Sequence, residues 1–305
     1  MAKRAKQGRW REDDASVSAE EREQVRVIER AFRDDLKLDE GATLTPSRLA
    51  RVRWPVFMRD LTDVGCTILA SGRFNSPSLS HLFIESEGSV SEKGLAALAS
   101  SKTMFRQVFQ LQLDLQHVGA RGVRSLCRPD SAFRRVVFLA LNGCQVSATA
   151  IRELGAEQSP FRLIQDLSLQ KCSIGDAELR AIAFSKSGFR RLWRLNLGLS
   201  RVTARGVAAM VSRGSSLAKL EELHIGGKGV DDAALALIAS HKSSLKRLQR
   251  LCVFQTGITD AGLIQALCPE SRFHGLRAID FVGRASLSAQ TKEWLRTNAP
   301  NLAVW

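Results

Sequence analysis

Tyrosine is missing from all 305 residues, and aromatic residues make up only 6% of them, so few rings are available to stack on the bases of a single-stranded nucleic acid. No apolar stretch approaches the roughly 20 residues that span a bilayer, and the opening MAKRAKQGRWREDD lacks the apolar core of a secretory signal. An intracellular protein, cytoplasmic or nuclear, is the expectation unless export uses a route with no visible signal. There is no C-x-x-C pair. The six cysteines Cys66, Cys127, Cys144, Cys172, Cys252 and Cys268 lie far apart, which argues against a zinc site and a disulfide framework and fits a reducing compartment. The histidines His81, His117, His224, His241 and His274 form no paired metal ligands, and neither a phosphate-binding glycine loop nor a nucleophile elbow is found. With these go the signals of an enzyme, a cofactor, a metal or a small-molecule substrate. Acids are also scarce, 31 against 45 lysines and arginines. The resulting formal charge of +14 biases the chain toward acidic partners: nucleic acid, an acidic protein surface or anionic lipid.

What is present is apolar material, 44% of the residues, arranged in a repeat. Cutting the chain at each apolar-x-apolar step gives the anchors Trp54, Leu82, Leu111, Leu139, Leu167, Leu195, Leu223, Leu251 and Ile279, spaced 28 or 29 residues apart. Two positions later every unit is apolar again: Val56, Ile84, Leu113, Leu141, Leu169, Leu197, Ile225, Val253 and Phe281. Within a unit the pattern changes from period two, as at Leu192, Leu195 and Leu197, to a helical period, as at Val202, Val207 and Met210. Each unit therefore reads as a strand followed by a helix. Ser91, Ser147, Thr203, Asp231, Thr259 and Ser288 sit where side-chain oxygens cap helix N-termini, and Gly65, Gly94, Gly122, Ala150, Gly206, Ala234 and Gly262 follow at the helix entrance.

This pattern resembles the leucine-rich-repeat family, in particular its ribonuclease-inhibitor-like subclass of 28-residue repeats, over about residues 50 to 305. The resemblance implies an α/β solenoid of about nine repeats bent into a horseshoe, with a parallel inner sheet, outer helices and partners on the concave face. It also implies that Cys144 and Cys172, with Ser200 and Thr256 at the same position of other repeats, bond the turning backbone rather than react. Phe105, Phe133, Phe161, Phe189 and Phe273, with Leu217 and Leu245, recur at one position before each strand and read as a stacked core spine. The expected organisation is a basic tail plus one amphipathic helix over 1–50, and over 51–305 the solenoid with capping first and last repeats. In the tail, Lys3, Arg4, Lys6, Arg9 and Arg11 precede a helix carrying Val25, Ile28, Phe32 and Leu36. Pro55 falls inside the first strand, which only a sheet edge tolerates, and LTPSRLARVRWPVF is a poor match to an F-box and is read as the cap. At the other end Trp294 and Trp305 are expected to cover the core.

Residues at equal repeat positions form rows on the exposed sheet face. The row before the anchors, Arg53, His81, Gln110, Phe138, Asp166, Arg194, Glu222, Arg250 and Ala278, alternates in charge from Asp166 onward. It reads either as a self-neutralising ladder, each exposed pair worth about 0–1 kcal/mol, or as arginine anchors for a partner. The row after the anchors includes Gln112, Asn196, His224 and Cys252, a polar contact strip rather than a nucleophile and its base, since a regular strand supplies no oxyanion hole. The third row, Phe57, Glu85, Asp114, Asn142, Gln170, Gly198, Gly226, Phe254 and Val282, reads either as a shallow recess beside Phe254 or as glycines that serve local packing. Asp114, Gln112, Asp166, Arg194, Asn196, Glu222, His224, Arg250 and Phe254 are the candidate partner-binding residues.

Away from that face, FRQV, FRRV, FRLI, FRRL, LAKL and LKRL recur before the strands. They place Arg106, Arg134, Arg135, Arg162, Arg190, Arg191, Lys219, Lys246 and Arg247 along one rim, and Arg124, Arg152 and Arg180 on the outer helices. The rim is either a duplicated solvated edge or an electrostatic binding surface. The expected function is a non-enzymatic interaction scaffold for a protein partner with an acidic surface; the alternative is a nucleic-acid or ribonucleoprotein-associated protein.

Overall fold

The computed structural model describes residues 17–39, 42–52, 56–100, 105–116, 118–185, 187–268, 271–282 and 287–304. Ten strands form one sheet: β1 (Val56–Arg59), β2 (His81–Ser86), β3 (Gln110–Leu115), β4 (Phe138–Ala140), β5 (Asp166–Ser168), β6 (Arg194–Leu197), β7 (Glu222–Gly226), β8 (Arg250–Phe254), β9 (Ala278–Val282) and β10 (Ala303–Val304). Every neighbouring pair is parallel and the strand order follows the chain. Two helices precede the sheet, α1 (Ala19–Leu36) and α2 (Pro46–Leu49). Among the described residues one α-helix then separates each strand from the next, α3 (Asp63–Ala70), α4 (Glu92–Ser100), α5 (Ala120–Leu126), α6 (Ala148–Leu154), α7 (Asp176–Ala183), α8 (Ala204–Met210), α9 (Asp232–Ala239), α10 (Asp260–Ala266) and α11 (Ala289–Asn298), with a 3-10 turn at Arg272–Gly275 before β9. The chain is thus an α/β protein with a single all-parallel sheet alternating with helices, an architecture consistent with a solenoid. Among the described residues no helix is long and apolar enough to cross a membrane.

Period two along the strands buries one face. Leu111, Leu113, Leu139, Leu167, Leu195, Leu197, Leu223 and Ile225 are within 2% of complete burial, and helix residues such as Ile151, Ile182 and Leu235 close over them. The aromatic spine is buried as expected, Phe105, Phe133, Phe161 and Phe189 completely, with the Phe105 and Phe133 rings stacked at 5.4 Å. A serine two residues before the spine position supports it in several units. Ser159, Ser215, Ser243 and Ser271 each accept a hydrogen bond from the spine residue's backbone N–H at 3.2 Å, so a buried donor at the turn is satisfied. At one end α1 contacts β1 and α3 and buries Ile28 and Phe32. Its buried Gln24 joins both sides of the turn after β1, donating to the Asp60 carbonyl at 3.2 Å and accepting from Thr62 N at 2.9 Å. At the other end Trp294 packs partly buried against the core.

The first strand departs from the expected register. Val56, not Trp54, pairs with Leu82, and Met58 pairs with Ile84, so Phe57 stands beside Phe83 rather than in the row of Glu85. A slip of two residues preserves the inward and outward faces, and Trp54, Val56 and Met58 are all apolar, so hydrophobic pattern alone cannot separate the two registers. Arg53, Trp54 and Pro55 lie outside the described residues, as do the basic residues Lys3 to Arg11, His117 and Trp305.

The helix entrances carry a device that links consecutive units. Ser147, Thr203, Asp231, Thr259 and Ser288 cap their helices as expected. In addition, the first residue of one helix, where it is aspartate, reaches the cap of the next. Asp232 accepts from Thr259 N at 2.7 Å and from its hydroxyl at 2.6 Å, and Asp176 does the same for Thr203. Asp63 does so for Ser91, while Asp260 bonds Ser288 N and the Thr291 hydroxyl. In three of these four junctions glycine at the third position of the receiving helix makes the space: a Cβ on Gly262 would lie 2.0 Å from Asp232 Oδ1, one on Gly206 2.5 Å from Asp176 Oδ1 and one on Gly94 2.4 Å from Asp63 Oδ1. Opposite Asp260 the third position is Thr291, whose hydroxyl bonds the carboxylate. Where the aspartate position holds Ala120 or Ala204 instead, the receiving helix carries Ala150 or Ala234.

The coupling is testable by a double-mutant cycle. Gly262→Ala is expected to lower stability by about 1–3 kcal/mol through forced displacement of the Asp232 carboxylate. Asp232→Ala alone should cost about 0.5–2 kcal/mol through loss of the cap bonds. In the Asp232→Ala background, Gly262→Ala should be neutral or stabilising, because alanine is the better helix former by up to about 1 kcal/mol. Denaturant midpoints of the four proteins measure this; additive losses would defeat the explanation.

Candidate functional site

The helices cover one face of the sheet and leave the other open. Strand pairing places His81, Gln110, Phe138, Asp166, Arg194, Glu222, Arg250 and Ala278 side by side in one row, and Phe57, Phe83, Gln112, Ala140 and Ser168 in the next. Asn196, His224, Cys252 and Asp280 continue the second row from β6 to β9. This open face has three parts of different character.

The middle is occupied by its own hydrogen bonds. Arg194 lies between two carboxylates, 3.4 Å from Asp166 and 3.1 Å from Glu222, and the same Glu222 oxygen meets His224 Nε2 at 2.5 Å. Burial pushes the Asp166 carboxyl up, against the downward pull of Arg194, so the ladder fixes geometry more than it adds stability. Beside it, Gln112 donates to Asp114, Asn142 donates to Asp114, and Ser168 donates to Asn142 at 2.8–2.9 Å. Asn196 is turned to its own strand end, accepting from Gly198 N at 3.0 Å. Among the candidate contacts of this region only Arg250 is exposed, because Glu222 already faces Arg194 and His224.

Two expectations for the late strands are corrected. A Cβ on Gly226 would lie 2.9 Å from the Phe254 Cβ and 2.5 Å from its carbonyl oxygen, so Phe254 occupies the space beside the glycine and no recess opens there. Cys252 is buried rather than set in an exposed strip, since the longer side chains around it cover a thiol. Burial raises that thiol to about 11, and His224 is engaged by Glu222 instead. Burial likewise pushes the Cys144 and Cys172 thiols up to about 12, and Cys172 Sγ donates to the Leu141 carbonyl at 2.8 Å. That contact is the backbone role which the repeat resemblance implied.

The early strands carry the least satisfied surface. Phe57 is 59% exposed and stacks on Phe83 with ring centroids 4.6 Å apart. His81, two residues from Phe83 on β2, meets Phe109 edge-on at 4.4 Å, and Phe109 meets Phe138 at 6.1 Å. Phe109 and Phe83 were not singled out by motif; the visible signal was a ring at the strand entrance and in the second row of neighbouring units. Next to this patch a cleft of about 860 Å³ opens between α1 and β1, lined by Arg30, Asp34, Asp35, Lys37, Phe57 and Arg59 among others.

All nine candidate rim cations, Arg106, Arg134, Arg135, Arg162, Arg190, Arg191, Lys219, Lys246 and Arg247, are exposed in the turns before β3 to β8. Arg124, Arg152 and Arg180 lie on α5, α6 and α7, where Arg124 pairs with Glu153 at 2.8 Å and Arg180 stands over the Phe184 ring.

Two measurements check this reading of the open face. Arg194→Ala is expected to destabilise by about 1–3 kcal/mol, because it leaves Asp166 and Glu222 half-buried without their cation, while Asp166→Asn stays within about 1 kcal/mol of the wild type. Equal losses from the two variants would contradict the central placement of Arg194. His81 is held below its ordinary value of 6.5 by burial. The unfolded chain therefore takes up the proton first on acidification, and the contribution of His81 to stability is full above 6.5 and declines as pH falls through the folded value. Resonances of its ring protons should titrate with a midpoint below 6.5, and a midpoint above it would disprove the assignment.

No protein-family model and no curated protein sequence matches the chain. Among solved structures it is similar to a Bacteroides fragilis protein determined by the Northeast Structural Genomics Consortium, with a TM-score of 0.53 and 14% identity over 75% of this chain. The match spans 66% of that protein's chain, and at this identity the likeness concerns the fold alone.

Proposed function

We propose that the chain is a non-enzymatic interaction scaffold that holds a protein partner against the open face of its sheet. The finer architecture belongs to the same proposal: a ribonuclease-inhibitor-like leucine-rich-repeat solenoid of about nine repeats, curved into a horseshoe with the open face concave, preceded by a basic tail and a helix over 1–50. The 28-residue spacing and the ten-strand parallel sheet support it.

One observation carries the functional reading. The helices seal one side of the sheet, while the other side ends in an uncovered aromatic patch built on Phe57 and Phe83. Large apolar groups on a rigid surface are the usual anchors of protein interfaces, and neighbouring polar groups give them direction. The patch meets such groups at Glu85 and Arg59, which lie 3.4 Å apart, and at the Gln112–Asp114 pair. The tied charges at Asp166, Arg194 and Glu222 are preformed, so a partner would face oriented groups with little side-chain entropy left to lose. Arg250 extends the contact toward β9.

The test begins with affinity capture and mass spectrometry to obtain a partner, with nuclease included. Phe57→Ala combined with Phe83→Ala should then weaken its binding by at least about 30-fold, as removal of a dominant interface anchor does. Amide-exchange protection in the complex should be strongest on β1 to β3, which carry the aromatic patch and the Gln112–Asp114 pair, and extend along the open face toward β8. Protection confined to the outer helices, with unchanged affinity in the double variant, would rule the reading out.

A further inference from the structure

We infer that the rim before β3 to β8 is a docking track for an acidic α-helical segment of a protein partner, an inference that rests on the scaffold reading and specifies the partner's chemistry. The rim cations stand in two adjacent rows. Arg106, Arg134, Arg162, Arg190 and Lys246 recur at multiples of 28 residues, and Arg135, Arg191, Lys219 and Arg247 occupy the next position. Lys219 falls where the first row is interrupted by Ala218. Among the described residues none of these nine has a carboxylate within 4.0 Å. Elsewhere the protein pairs its arginines: Arg124 with Glu153, Arg194 with Asp166 and Glu222, and Arg128 with Asp130 in the rim turn itself. Arg106, Arg134 and Arg135 line a cleft of about 660 Å³ between two of these turns, together with Asp130, which is bonded to Arg128.

The pitch of the rows selects the ligand. The Phe105 and Phe133 rings beside the first cations stand 5.4 Å apart, and neighbouring strands stand about 4.8 Å apart. An α-helix presents one carboxylate per turn along a face, about every 5.4 Å. The mismatch of about 0.6 Å per step accumulates to only about 3 Å over the five steps from Arg106 to Lys246, within reach of long arginine and lysine side chains. A track of about 24 Å accommodates a helix of about 16 residues. The phosphates of a DNA strand advance about 3.4 Å along the duplex axis and drift out of step more than twice as fast. Single-stranded nucleic acid needs rings between the cations, and Phe105, Phe133, Phe161 and Phe189, which hold those places, are fully buried.

The experiment compares four probes for the full chain at low and physiological salt: a capped 16-residue alanine-based helix with glutamates along one face, its length matched to the roughly 24 Å track, a peptide of identical composition with the glutamates distributed around the helix, and a 16-nucleotide oligo-dT and a 16-base-pair duplex of about 54 Å, long enough to cover the whole track. The one-faced helix should bind about tenfold or more tighter than the distributed one. Combined Arg134→Glu, Arg190→Glu and Arg247→Glu should abolish that preference, whereas the Phe57→Ala, Phe83→Ala protein should retain it. Equal affinity for the two peptides, no binding of either, or tighter binding of a nucleic acid would overturn the inference. Retained helix binding with failure of the aromatic double variant to affect a captured partner would leave the rim standing and discard the open face.

Discussion

Every unit of this protein buries its apolar face only against its neighbours, and the rest of the structure follows from that dependence. A single strand and helix cannot enclose Leu195, Leu197, Val207 and Met210 by themselves; the flanking units complete the enclosure, and the strand N–H and C=O groups find partners only across the same boundaries. Identical neighbours must then meet at identical places. This is why one sequence position yields a row of stacked phenylalanines, another a row of buried leucines, and a third a row of uncompensated cations.

That same dependence explains how much could be read from the chain. The strand and helix alternation, the spine and the contents of the two sheet rows were legible because a strict 28-residue register converts sequence position directly into spatial neighbourhood. Legibility failed where the register was ambiguous or where a contact depended on shape. Trp54, Val56 and Met58 share parity and hydrophobicity, so the placement of β1 was undetermined by two residues. The glycine at 226 was visible, but the way Phe254 leans over it depends on backbone positions that period and composition do not specify. Gln24 was not singled out in the sequence, because its bridge across the turn after β1 needs the docking angle of α1. The aspartates that reach forward to the next helix cap were readable in principle: Asp63, Asp176 and Asp232 at the first helical position of one unit coincide with Gly94, Gly206 and Gly262 at the third position of the next. That correlation spans a unit boundary, and a reading made one repeat at a time passes over it.

The two charged surfaces obey different electrostatics. On the open face, half-burial obliges each charge to find a partner, and the result is a chain of contacts from Asp166 to His224 with little net attraction left over. On the rim, water screens each cation well enough that no partner is required, and the like charges persist at a spacing shorter than the screening length of about 8 Å. A surface that is already internally satisfied discriminates by shape; a surface of unpaired charges attracts from a distance and discriminates by spacing. In the proposed scaffold the aromatic end of the sheet would supply a short-range component of recognition and the basic rim a long-range one.

The forward reach of the aspartates gives the array a direction. Each capped helix leans on the unit before it, while the accepting aspartate can fall back on water. Loss of units from either end would expose core and a strand edge, but at these junctions only loss from the amino end would also leave the first remaining helix without its brace. The array is therefore built like courses of masonry from the α1 end, and growth by duplication is constrained as well. A copied unit fits only if its own first helical residue suits the follower and its own third residue suits the predecessor, so the acid and the glycine that meet in space must be inherited from two different copies.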